Sequence, residues 1–540
     1  MEDPLKSRHD DYHRAGYWRD QTFLDDLRAG VRRHPHKPAV ITRDVATGIS
    51  RTLDYAELEL LTDRCAAALV NLGLAPGDVV AAQLPNRWEL VPFTLGCIKA
   101  GLRLCPFVPI YGPRELAHML RLTEARVFIT MVASDNVPLA DVAIRLAGEL
   151  PELAHVFVAG GERSDRGPSF EQYFLGTAWE ENNPVRGREL PPDDPFLVLF
   201  TSGTTGEAKG ALHTQNTLYA PIRAEADVYR LDAGLRMTVA SGYMHYSGMV
   251  QGVLMPLMLG GTAIFQAEWT GPSLLELIED HRVNFLYLVP TTLLDLIEAQ
   301  RENPRDTSSL RHIVTGSAAV PPHFVEEVRD LFGIRLHALW GMTENGPVTM
   351  TRPDDPEDWA AFSDGRPVDG MEVRITPIPG ESANNLGRLW VRGPTQCLGY
   401  YRREELYAEY LDEDGWFNTE DLAVDDGRGG IRIAGRDKDL IMHHAIPVPA
   451  VEVEAVLIRH PAIREVAVVG LPDANGDEVV CAVVTSMDEP PTLADLRDYL
   501  GASGLTEIYW PERLEAVEAL PKTLTGKVRK TELQERFRRT

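Results

Sequence analysis

The sequence predicts a mixed α/β (α+β) protein with two domains. One is a large N-terminal domain of βα-layered subdomains plus a β-rich subdomain, and the other is a small, mobile α+β C-terminal lid. Amphipathic helices alternate with short apolar strands along most of the chain, which favours sheets covered by helices. From about Met371 the pattern changes to short strands with glycine turns, and a compact unit follows Gly435.

The composition is that of a globular protein whose surface repels polyanions. The chain has 540 residues, of which 44% are hydrophobic and 25% charged, enough to bury several cores and to exclude disorder. Lys and Arg number 54 against 80 Asp and Glu, so the formal net charge is −26. Nucleic acid and anionic membranes are therefore not expected partners, and a phosphate ligand requires a local pocket or a metal ion.

The cysteines and the hydrophobic segments predict a cytoplasmic protein. The thiols are sparse, odd in number and without CxxC spacing, which favours buried, reduced cysteines over a zinc site. They are Cys65, Cys97, Cys105, Cys397 and Cys481. The N-terminal residues lack the apolar core of a secretion signal. The most apolar stretch, residues 91–112, is interrupted by Lys99 and Arg103 and is too charged to span a membrane.

Individual elements follow from local patterns. Residues 52–73 form one amphipathic helix, because Asp54 is a good N-cap with Glu57 three residues later and Gly73 is a stop signal. A strand at 79–84 and a helix at 89–100 follow. Further strands are predicted at 126–131, 262–266, 285–289, 313–315, 373–376, 389–392 and 431–434.

The C-terminal unit has its own helices and strands. Helices are expected at 451–459 and 493–500, and strands at 466–469 and 479–484. The polar GRDKD segment follows a strand, so we place the domain boundary there, between residues 1–435 and residues 436–540.

A loop rich in glycine and hydroxyl groups carries the strongest chemical signal. Residues 196–210 read FLVLFTSGTTGEAKG, a buried-type strand that enters a polar turn and is followed by a lysine. Glycines let backbone N–H groups converge on phosphate oxygens, and hydroxyls and the lysine add donors and charge. Ala208 stands where a Walker A loop requires glycine. A plain hairpin turn is the alternative. The residues concerned are Thr201, Ser202, Gly203, Thr204, Thr205, Gly206 and Lys209.

Four further motifs follow this loop in order along the chain. They are Trp340-Gly341-Met342-Thr343-Glu344, the GWFNTED segment at 415–421, the GRDKD segment at 435–439 and the PKTLTGK segment at 521–527. In residues, order and spacing the five segments resemble the adenylate-forming superfamily of acyl-CoA synthetases, luciferases and peptide-synthetase adenylation domains. The resemblance covers nearly the whole chain.

The resemblance implies that an acid attacks the α-phosphate of ATP and that pyrophosphate leaves, with Mg²⁺ neutralising the developing charge. The Thr201–Gly206 loop and Lys209 would hold the β- and γ-phosphates. Thr343 would donate to the α-phosphate, and Glu344 would ligate Mg²⁺, although a helix cap is the alternative for this glutamate.

The nucleoside end follows from the same resemblance. Gly316, Ser317 and Ala318 would pack on adenine, and Trp340 would stack on its other face, with Gly341 and Met342 next in the same nucleotide-binding motif. Asp421 would accept from the ribose hydroxyls with Arg436 alongside, because a carboxylate suits a vicinal diol.

Two lysines have roles implied by their motifs. Lys527 would be the catalytic lysine that bridges the attacking carboxylate and the α-phosphate, as suits a compact charge on a flexible stem. Lys438 would be the hinge about which the lid rotates between half-reactions. A solvated surface lysine and a plain linker residue are the respective alternatives.

The acid pocket would be formed by His245, Ser247, Gln251, Leu339 and Gly346. His245 lies where the family places a gate between pocket and acceptor tunnel, although a single histidine is often structural. Leu339 replaces a small glycine common in the family and would fill space otherwise open to an acyl chain. A small or unusually shaped acid is the expectation.

The region that serves the acceptor departs from the family pattern. Thioester-forming members carry Gly-Gly and then Glu-Asn after GRxKD, where this chain has His444-Ala445 and Ile446-Pro447. Glycine permits backbone conformations that His and Ala adopt poorly, and proline lacks an N–H. Glu420 also replaces a glycine, and Tyr509 stands where a lysine is common.

Three functions compete on this basis. The first is an AMP-forming acid–CoA ligase for a small or aromatic acid, with ATP, Mg²⁺ and CoA. The second transfers the activated group to an amine or a carrier-protein thiol, or adenylates nitrite for attack by an arylamine, as in ATP-dependent diazotases. The third is a non-catalytic nucleotide-binding protein. So many ATP-site residues beside an altered acceptor region suggest specialised metabolism.

Overall fold

The structure, a computed structural model, describes most of the chain. The described residues are 4–45, 47–109, 111–133, 137–160, 169–201, 208–317, 320–378, 386–437, 440–443, 446–448, 450–472, 478–486, 489–503, 505, 507–522 and 528–538. Among them, no helix is both long enough and apolar enough to cross a bilayer. All five cysteines are buried and free, which confirms the prediction of buried thiols.

Helices and strands alternate along the chain as the sequence predicts. The helices are α1 (Pro4–Arg14), α2 (Phe23–Arg33), α3 (Tyr55–Asn71), α4 (Leu90–Ala100), α5 (Pro113–Thr123), α6 (Leu139–Glu149), α7 (Phe170–Phe174), α8 (Trp179–Asn182), α9 (Gln215–Tyr229), α10 (Met255–Leu259), α11 (Gly271–His281), α12 (Pro290–Glu302), α13 (Pro322–Phe332), α14 (Glu404–Ala408), α15 (Ala450–Leu457), α16 (Leu493–Ala502) and α17 (Lys530–Phe537). A π-helical segment, Ser247–Leu254, precedes α10, and 3₁₀ turns occur at Trp359–Ala361 and Glu507–Tyr509.

The described strands form five sheets. They are β1 (Pro38–Arg43), β2 (Ser50–Asp54), β3 (Val79–Ala82), β4 (Arg103–Pro106), β5 (Val127–Met131), β6 (His155–Ala159), β7 (Pro195–Thr201), β8 (Lys209–Thr214), β9 (Arg236–Val239), β10 (Thr262–Gln266), β11 (Phe285–Leu288), β12 (His312–Gly316), β13 (Leu336–Met342), β14 (Gly346–Met350), β15 (Arg366–Pro367), β16 (Glu372–Pro377), β17 (Gly387–Arg392), β18 (Gly399–Tyr400), β19 (Phe417–Asp425), β20 (Ile431–Arg436), β21 (Ile441–His443), β22 (Ile446–Val448), β23 (Ile463–Pro472), β24 (Glu478–Ser486) and β25 (Arg513–Ala516).

Two large sheets dominate the N-terminal part. One has the order β15-β14-β13-β12-β11-β9-β10-β1-β2, and the other β18-β8-β7-β4-β3-β5-β6. In both, the central strands are parallel. The antiparallel pairs lie at both edges of the first sheet but only at the β18-β8-β7 edge of the second, whose other edge pair, β5–β6, is parallel. Apolar residues from both sheets and from the helices around them share one buried cluster. The ends of the strands therefore come together from two sheets.

Helix α3 illustrates how the sequence positions an element. The Asp54 side chain accepts from the backbone N–H of Glu57, and Gly73 follows the helix with φ 79°, so both predicted signals are confirmed. The helix starts later than predicted, however. Residues 50–54 extend as β2 and pair with β1, because Thr52 lies opposite Ile41 in that ladder.

A four-stranded antiparallel sheet, β16-β17-β19-β20, forms the β-rich subdomain. The C-terminal part contains the β21–β22 hairpin and a sheet in which β24 lies between antiparallel β23 and parallel β25. Val468, Val480 and Leu496 lie at the centre of its core. Helix α15 packs beside β20, which joins the small part to the large one. The mixed α/β fold with a large N-terminal and a small C-terminal domain is thus confirmed.

Candidate active site

The predicted nucleotide-binding segments meet at the ends of strands from three sheets. Strands β12 and β13 are parallel, so Gly316 and Met342 end at the same edge of their sheet. In open α/β sheets, ligands bind outside the carboxyl ends of such strands. Strands β7 and β8 of the second sheet pair Thr201 with Lys209. Side-chain hydrogen bonds from this sheet reach the segment that follows β13.

Glu344 is a buried carboxylate that accepts a hydrogen bond from a tyrosine. It lies in the turn between β13 and β14, and its Oε1 accepts from the Tyr400 hydroxyl over 2.9 Å. Burial raises the pKa of the Glu344 carboxyl, while the Tyr400 hydrogen bond and the charges of Arg436 and Lys209 act in the opposite direction. The site thus combines a shielded negative charge with two nearby cations.

Lys209 is buried among tyrosines. Its side chain is only 9% exposed, and its ammonium donates to the Tyr410 hydroxyl. The ammonium nitrogen also lies 4.4 Å from the centre of the Tyr410 ring and 5.5 Å from that of Tyr400. Cation–π attraction at a desolvated site stabilises such a charge. A fixed positive charge therefore stands at the start of β8, directly after the phosphate-type loop.

His213 joins the two sheets at Thr343. It is fully buried, its Nε2 lies 2.8 Å from the Thr343 carbonyl oxygen, and its Nδ1 lies 3.0 Å from Thr217 Oγ1. Burial lowers the pKa of His213 to about 4, so the ring is neutral at pH 7. Because a carbonyl only accepts, Nε2 carries the proton and donates to Thr343. The neutral imidazole fixes the backbone next to Glu344.

Trp340, Asp421 and Arg436 form a cluster between β13 and the β-rich subdomain. The indole Nε1 of Trp340 donates to Asp421 Oδ2 over 3.0 Å, and Arg436 Nε lies 2.7 Å from Asp421 Oδ1. Asp421 and Arg436 lie opposite each other in the β19–β20 ladder. A carboxylate accepts hydrogen bonds and does not donate them, which is the chemistry that a diol requires.

The residue before Asp421 carries backbone strain. Glu420 has φ 58°, in the left-handed region that a side chain disfavours, and its N–H donates to Asn418 Oδ1 over 3.0 Å. This is the position where the sequence departs from the family's glycine. The strand β19, whose pairing with β17 is irregular here, keeps the glycine-like conformation although the residue is not glycine.

The structure describes two of the three residues predicted to pack on adenine, Gly316 and Ser317. A Cβ on Gly316 would lie 2.5 Å from the Leu339 carbonyl oxygen, so only glycine permits this close approach of β12 and β13. Ser317 has φ 71°, is exposed, and hydrogen-bonds the Tyr287 hydroxyl. Ala318 lies outside the described residues.

The predicted acid-pocket residues cluster around the π-helical segment. His245 is half-buried, and its Nδ1 lies 3.4 Å from Ser247 Oγ. Gln251 Nε2 donates to Glu225 Oε2 over 2.8 Å. Leu339 is buried on β13. Gly346 has φ 60°, and a Cβ there would lie 2.2 Å from the Tyr246 hydroxyl oxygen. Tyr246 thus packs directly over Gly346.

Several predicted site residues lie outside the described residues. They are Ser202, Gly203, Thr204, Thr205, Gly206, Ala318, Lys438 and Lys527. The residues on either side of the loop that carries Lys527 are described. Lys522 and Val528 pair as an isolated antiparallel bridge, and the Arg529 N–H donates to the Pro521 carbonyl over 2.8 Å. Lys522 itself forms an ion pair with Glu465.

Four site residues were missed by sequence reasoning: Tyr400, Tyr410, His213 and Glu225. His213 had a signal, because it lies four residues after Lys209 on β8 and alternation puts both on one face. Glu225 had one too, since it continues the buried helical stripe of Leu218, Ile222 and Tyr229 on α9. The two tyrosines had none, because their partners are distant in sequence.

The donors fit a single magnesium ion shared with a nucleotide. Mg²⁺ is usually bound through one or two carboxylates, with substrate phosphates and waters as its other ligands. Glu344 offers one carboxylate. Within the described residues there is no group of three His, Cys, Asp or Glu side chains suited to holding a metal by itself. Glu344 would therefore hold a magnesium ion that arrives with ATP.

Formation of an adenylate requires that ATP be held at both its phosphates and its ribose. The described residues offer a buried lysine and a buried carboxylate, Lys209 and Glu344, at one end of the site and an acceptor carboxylate beside an indole at the other. The class of protein defined by this fold and this division of groups is the AMP-forming ligase.

Comparison with known proteins identifies the family. The chain belongs to the AMP-binding enzyme family, whose model matches residues 27–401, and the model of the AMP-binding enzyme C-terminal domain matches residues 452–527. This confirms the adenylate-forming superfamily predicted from the motifs.

Relatives of several kinds are similar over nearly the whole chain. Salicyl-AMP ligase / salicyl-S-ArCP synthetase of Mycobacterium tuberculosis is 32% identical, with 96% of this chain and 91% of that protein covered. Medium-chain fatty-acid–CoA ligase of Escherichia coli is 28% identical, with 96% and 91% covered. The structure of the amide bond synthetase McbA of Marinactinospora thermotolerans has a TM-score of 0.81 at 27% identity, with 95% and 99% of the chains covered.

Proposed function

We propose that this ligase activates a small or aromatic carboxylic acid as its adenylate and passes the acyl group to the thiol of coenzyme A. The observation that carries the proposal is the contact between Lys209, Tyr400 and Glu344. It brings a buried cation and a buried carboxylate together around one phenol, at the ends of strands from two sheets.

The phosphates of ATP would be bound at this end. Lys209 would neutralise charge on the β- and γ-phosphates, and Thr343, whose carbonyl is fixed by His213, would donate its hydroxyl to the α-phosphate. The magnesium bound with ATP supplies charge neutralisation at the phosphates, and Glu344 would hold it. Pre-placed charges of this kind act where negative charge develops in the transition state.

The nucleoside would bind at Trp340 and Asp421. The Asp421 carboxylate, an acceptor only, suits the two ribose hydroxyls, and the hydrogen bond from Trp340 and the ion pair with Arg436 fix it for that purpose.

Lys527 would act at the reacting atoms. A carboxylate oxygen of the acid attacks the α-phosphorus, and the bond to pyrophosphate breaks. The Lys527 ammonium would bridge the attacking carboxylate and an α-phosphate oxygen and thereby offset their repulsion. We place the lid that carries it at residues 436–540, with Lys438 as hinge.

A small acid is supported by the packing around Leu339 and Gly346. The Leu339 side chain is buried, and Tyr246 covers Gly346 so closely that no β-carbon would fit there. Large side chains therefore occupy the volume that a long acyl chain would need.

Coenzyme A is the acceptor we favour, because the hairpin that follows the hinge is present. Strands β21 and β22 pair His443 with Ile446, and the ring Nδ1 of His443 lies 2.6 Å from the Glu478 carbonyl oxygen. The thiol sulfur would attack the acyl carbon, and AMP would leave.

A non-thiol acceptor is the second candidate, and the residues of this hairpin favour it. Pro447 removes an N–H at a position where thioester-forming members carry a polar residue, and His444 and Ala445 replace the glycines. An amine, or an arylamine that attacks adenylated nitrite, requires no thiol tunnel.

AMP release distinguishes these acceptors. ATP, Mg²⁺ and a panel of acids, nitrite included, are incubated with and without CoA and with and without an amine. We expect AMP in proportion to acyl-CoA formed. AMP that appears only with an amine supports the second candidate. No acid-dependent exchange of pyrophosphate into ATP with any acid would contradict the proposal as a whole.

The role of Lys527 is tested with a neighbouring lysine as control. Lys527→Ala is expected to lower adenylation about a hundredfold or more. Lys522→Ala removes a lysine that pairs with Glu465 and should change adenylation far less. Equal adenylation rates in Lys527→Ala and the unmodified enzyme would remove Lys527 from the mechanism.

A further inference from the structure

Glu225 is a buried carboxyl with one oxygen unpaired. It lies on α9 with no exposed surface, and its Oε2 accepts from Gln251 Nε2 over 2.8 Å. In the part of the chain that the structure describes, Oε1 has no hydrogen-bond partner, and no lysine or arginine forms an ion pair with this carboxyl. Burial raises the pKa of Glu225 to about 7. The group is therefore costly where it stands.

A second unpaired polar atom faces the same region. The Tyr246 hydroxyl is buried above Gly346 and has no partner among the described residues. Tyr246 immediately precedes the π-helical segment that carries Gln251. The charge of Glu225 also contributes to the raised pKa of the Tyr246 phenol, which places the two side chains near each other.

The residue before Gly346 adds a third such group. Asn345 has no exposed surface, and neither its side-chain oxygen nor its side-chain nitrogen has a partner within the described residues. A buried polar group without a hydrogen-bond partner destabilises the fold. Unpaired groups thus occur on α9, directly before the π-helical segment and in the turn before β14, each beside a residue of the predicted acid pocket: Glu225 bonds to Gln251, Tyr246 covers Gly346, and Asn345 precedes Gly346. Buried unpaired groups are rare, and a ligand that supplies their partners explains them.

The chemistry of these groups selects the ligand. A carboxylate accepts hydrogen bonds, and a tyrosine hydroxyl and an amide accept as well as donate. A substituent with N–H or O–H groups satisfies them, whereas an alkyl or halogen substituent does not. A buried carboxylate without a cation is best compensated by a group that can carry positive charge.

We propose that Glu225, with Tyr246 and Asn345, recognises a hydrogen-bond-donating substituent, an amino group in the first place, on the acid that this enzyme activates. The inference rests on the proposed function, since it assigns the polar end of the same acid pocket. Gln251 positions the carboxyl through its amide, and Leu339 supplies the apolar wall.

Matched acids test the assignment. Adenylation is measured by pyrophosphate exchange for two series, benzoate with 3-aminobenzoate and 3-hydroxybenzoate, and propionate with 3-aminopropionate and 3-hydroxypropionate. We expect kcat/KM for a donor-bearing acid to exceed that for its unsubstituted parent about tenfold to a hundredfold in at least one series. The amino and hydroxyl members distinguish the two sources of the donor.

Two variants separate recognition from folding. Glu225→Gln keeps the shape but removes the charge, and should lower the ratio of amino to unsubstituted kcat/KM about tenfold or more. Asp364→Asn changes another fully buried carboxyl, one whose neighbour is Arg432, and should leave this ratio as it is. Thermal shifts report binding without turnover. The amino-substituted acid should raise the melting temperature of the unmodified enzyme more than that of Glu225→Gln.

The outcomes are distinguishable. A ratio unchanged in Glu225→Gln, or a preference for unsubstituted acids in the unmodified enzyme, would overturn the inference while adenylation itself continues. Absence of exchange with every acid would overturn the proposed function instead.

Discussion

The Tyr400 hydroxyl donates to Glu344 Oε1 over 2.9 Å, while the ring of the same tyrosine lies 5.5 Å from the Lys209 ammonium. One phenol thus touches the carboxylate proposed to hold magnesium and the cation proposed to hold phosphate. The Tyr400 hydroxyl comes from β18, which pairs with β8, and so links the phosphate-loop sheet to the β13–β14 turn.

Tyr400→Phe tests this link. Loss of a hydrogen bond to a charged group costs about 1.5–3 kcal/mol, so we expect kcat/KM for ATP to fall about tenfold to a hundredfold. Adenylation by pyrophosphate exchange measures it. Tyr407→Phe is the control. Tyr407 is also a buried tyrosine, but it stacks on Phe417 and its hydroxyl donates to the Cys397 carbonyl oxygen rather than to Glu344. Equal losses in both variants would contradict a special role for Tyr400.

Glu344→Gln should separate activity from stability. The variant removes the metal-ligating charge, and we expect adenylation to fall about a hundredfold or more. Burial raises the pKa of Glu344, so its ionised form is costly in the fold, and the neutral amide should melt at an equal or higher temperature. Calorimetry measures the melting temperature, and pyrophosphate exchange measures adenylation.

Glu372→Gln is the matched control for that experiment, because Glu372 pairs with Arg392 on an edge of the β-rich subdomain. It should change neither quantity appreciably. A Glu344→Gln enzyme that melts far lower would show that the carboxylate is structural.

Glu420→Gly should stabilise the protein. Glu420 has φ 58°, and glycine relieves about 1 kcal/mol of strain there, partly offset by the greater entropy of an unfolded glycine. We expect the free energy of unfolding in urea to rise by a net amount of up to about 0.6 kcal/mol. Glu409→Gly is the control, because Glu409 has φ −65° and glycine should destabilise there. A loss of stability in both variants would disprove the strain.

His337 should make the protein acid-sensitive. Burial lowers its pKa to about 3, while the unfolded histidine titrates near 6.5. Below pH 6.5 the unfolded state binds the extra proton, so the free energy of unfolding falls as pH falls, by about 1.4 kcal/mol per pH unit for this group. The loss ends near pH 3, where the folded state is protonated too.

Urea unfolding at pH 8 and pH 5 measures the effect. In His337→Phe the difference in free energy between these pH values should shrink by about 2 kcal/mol. The exposed His34 provides the control, since His34→Phe should leave the difference unchanged. An unchanged difference in His337→Phe would show that this histidine is not the titrating group.

Local signals in the sequence were sufficient for the elements and for the family. The Asp54 cap, the stop at Gly73 and the apolar runs that become β10 and β12 each depend on neighbouring residues only. The five motifs likewise carry their chemistry within a few consecutive residues. A helix start shifted where strand pairing competed with helix formation, as at residues 50–54, which pair with the preceding strand β1.

Tertiary structure alone decided how these motifs are coupled. Tyr400 meets Glu344 across 56 positions and His213 meets Thr343 across 130, and no periodicity records such pairs. The same holds for the unpaired oxygen of Glu225, which is costly only because the fold excludes water from it. Sequence determines which groups are available, because chemistry and short-range backbone preferences reside in single residues. Packing determines which of them are buried together, because burial depends on the whole chain.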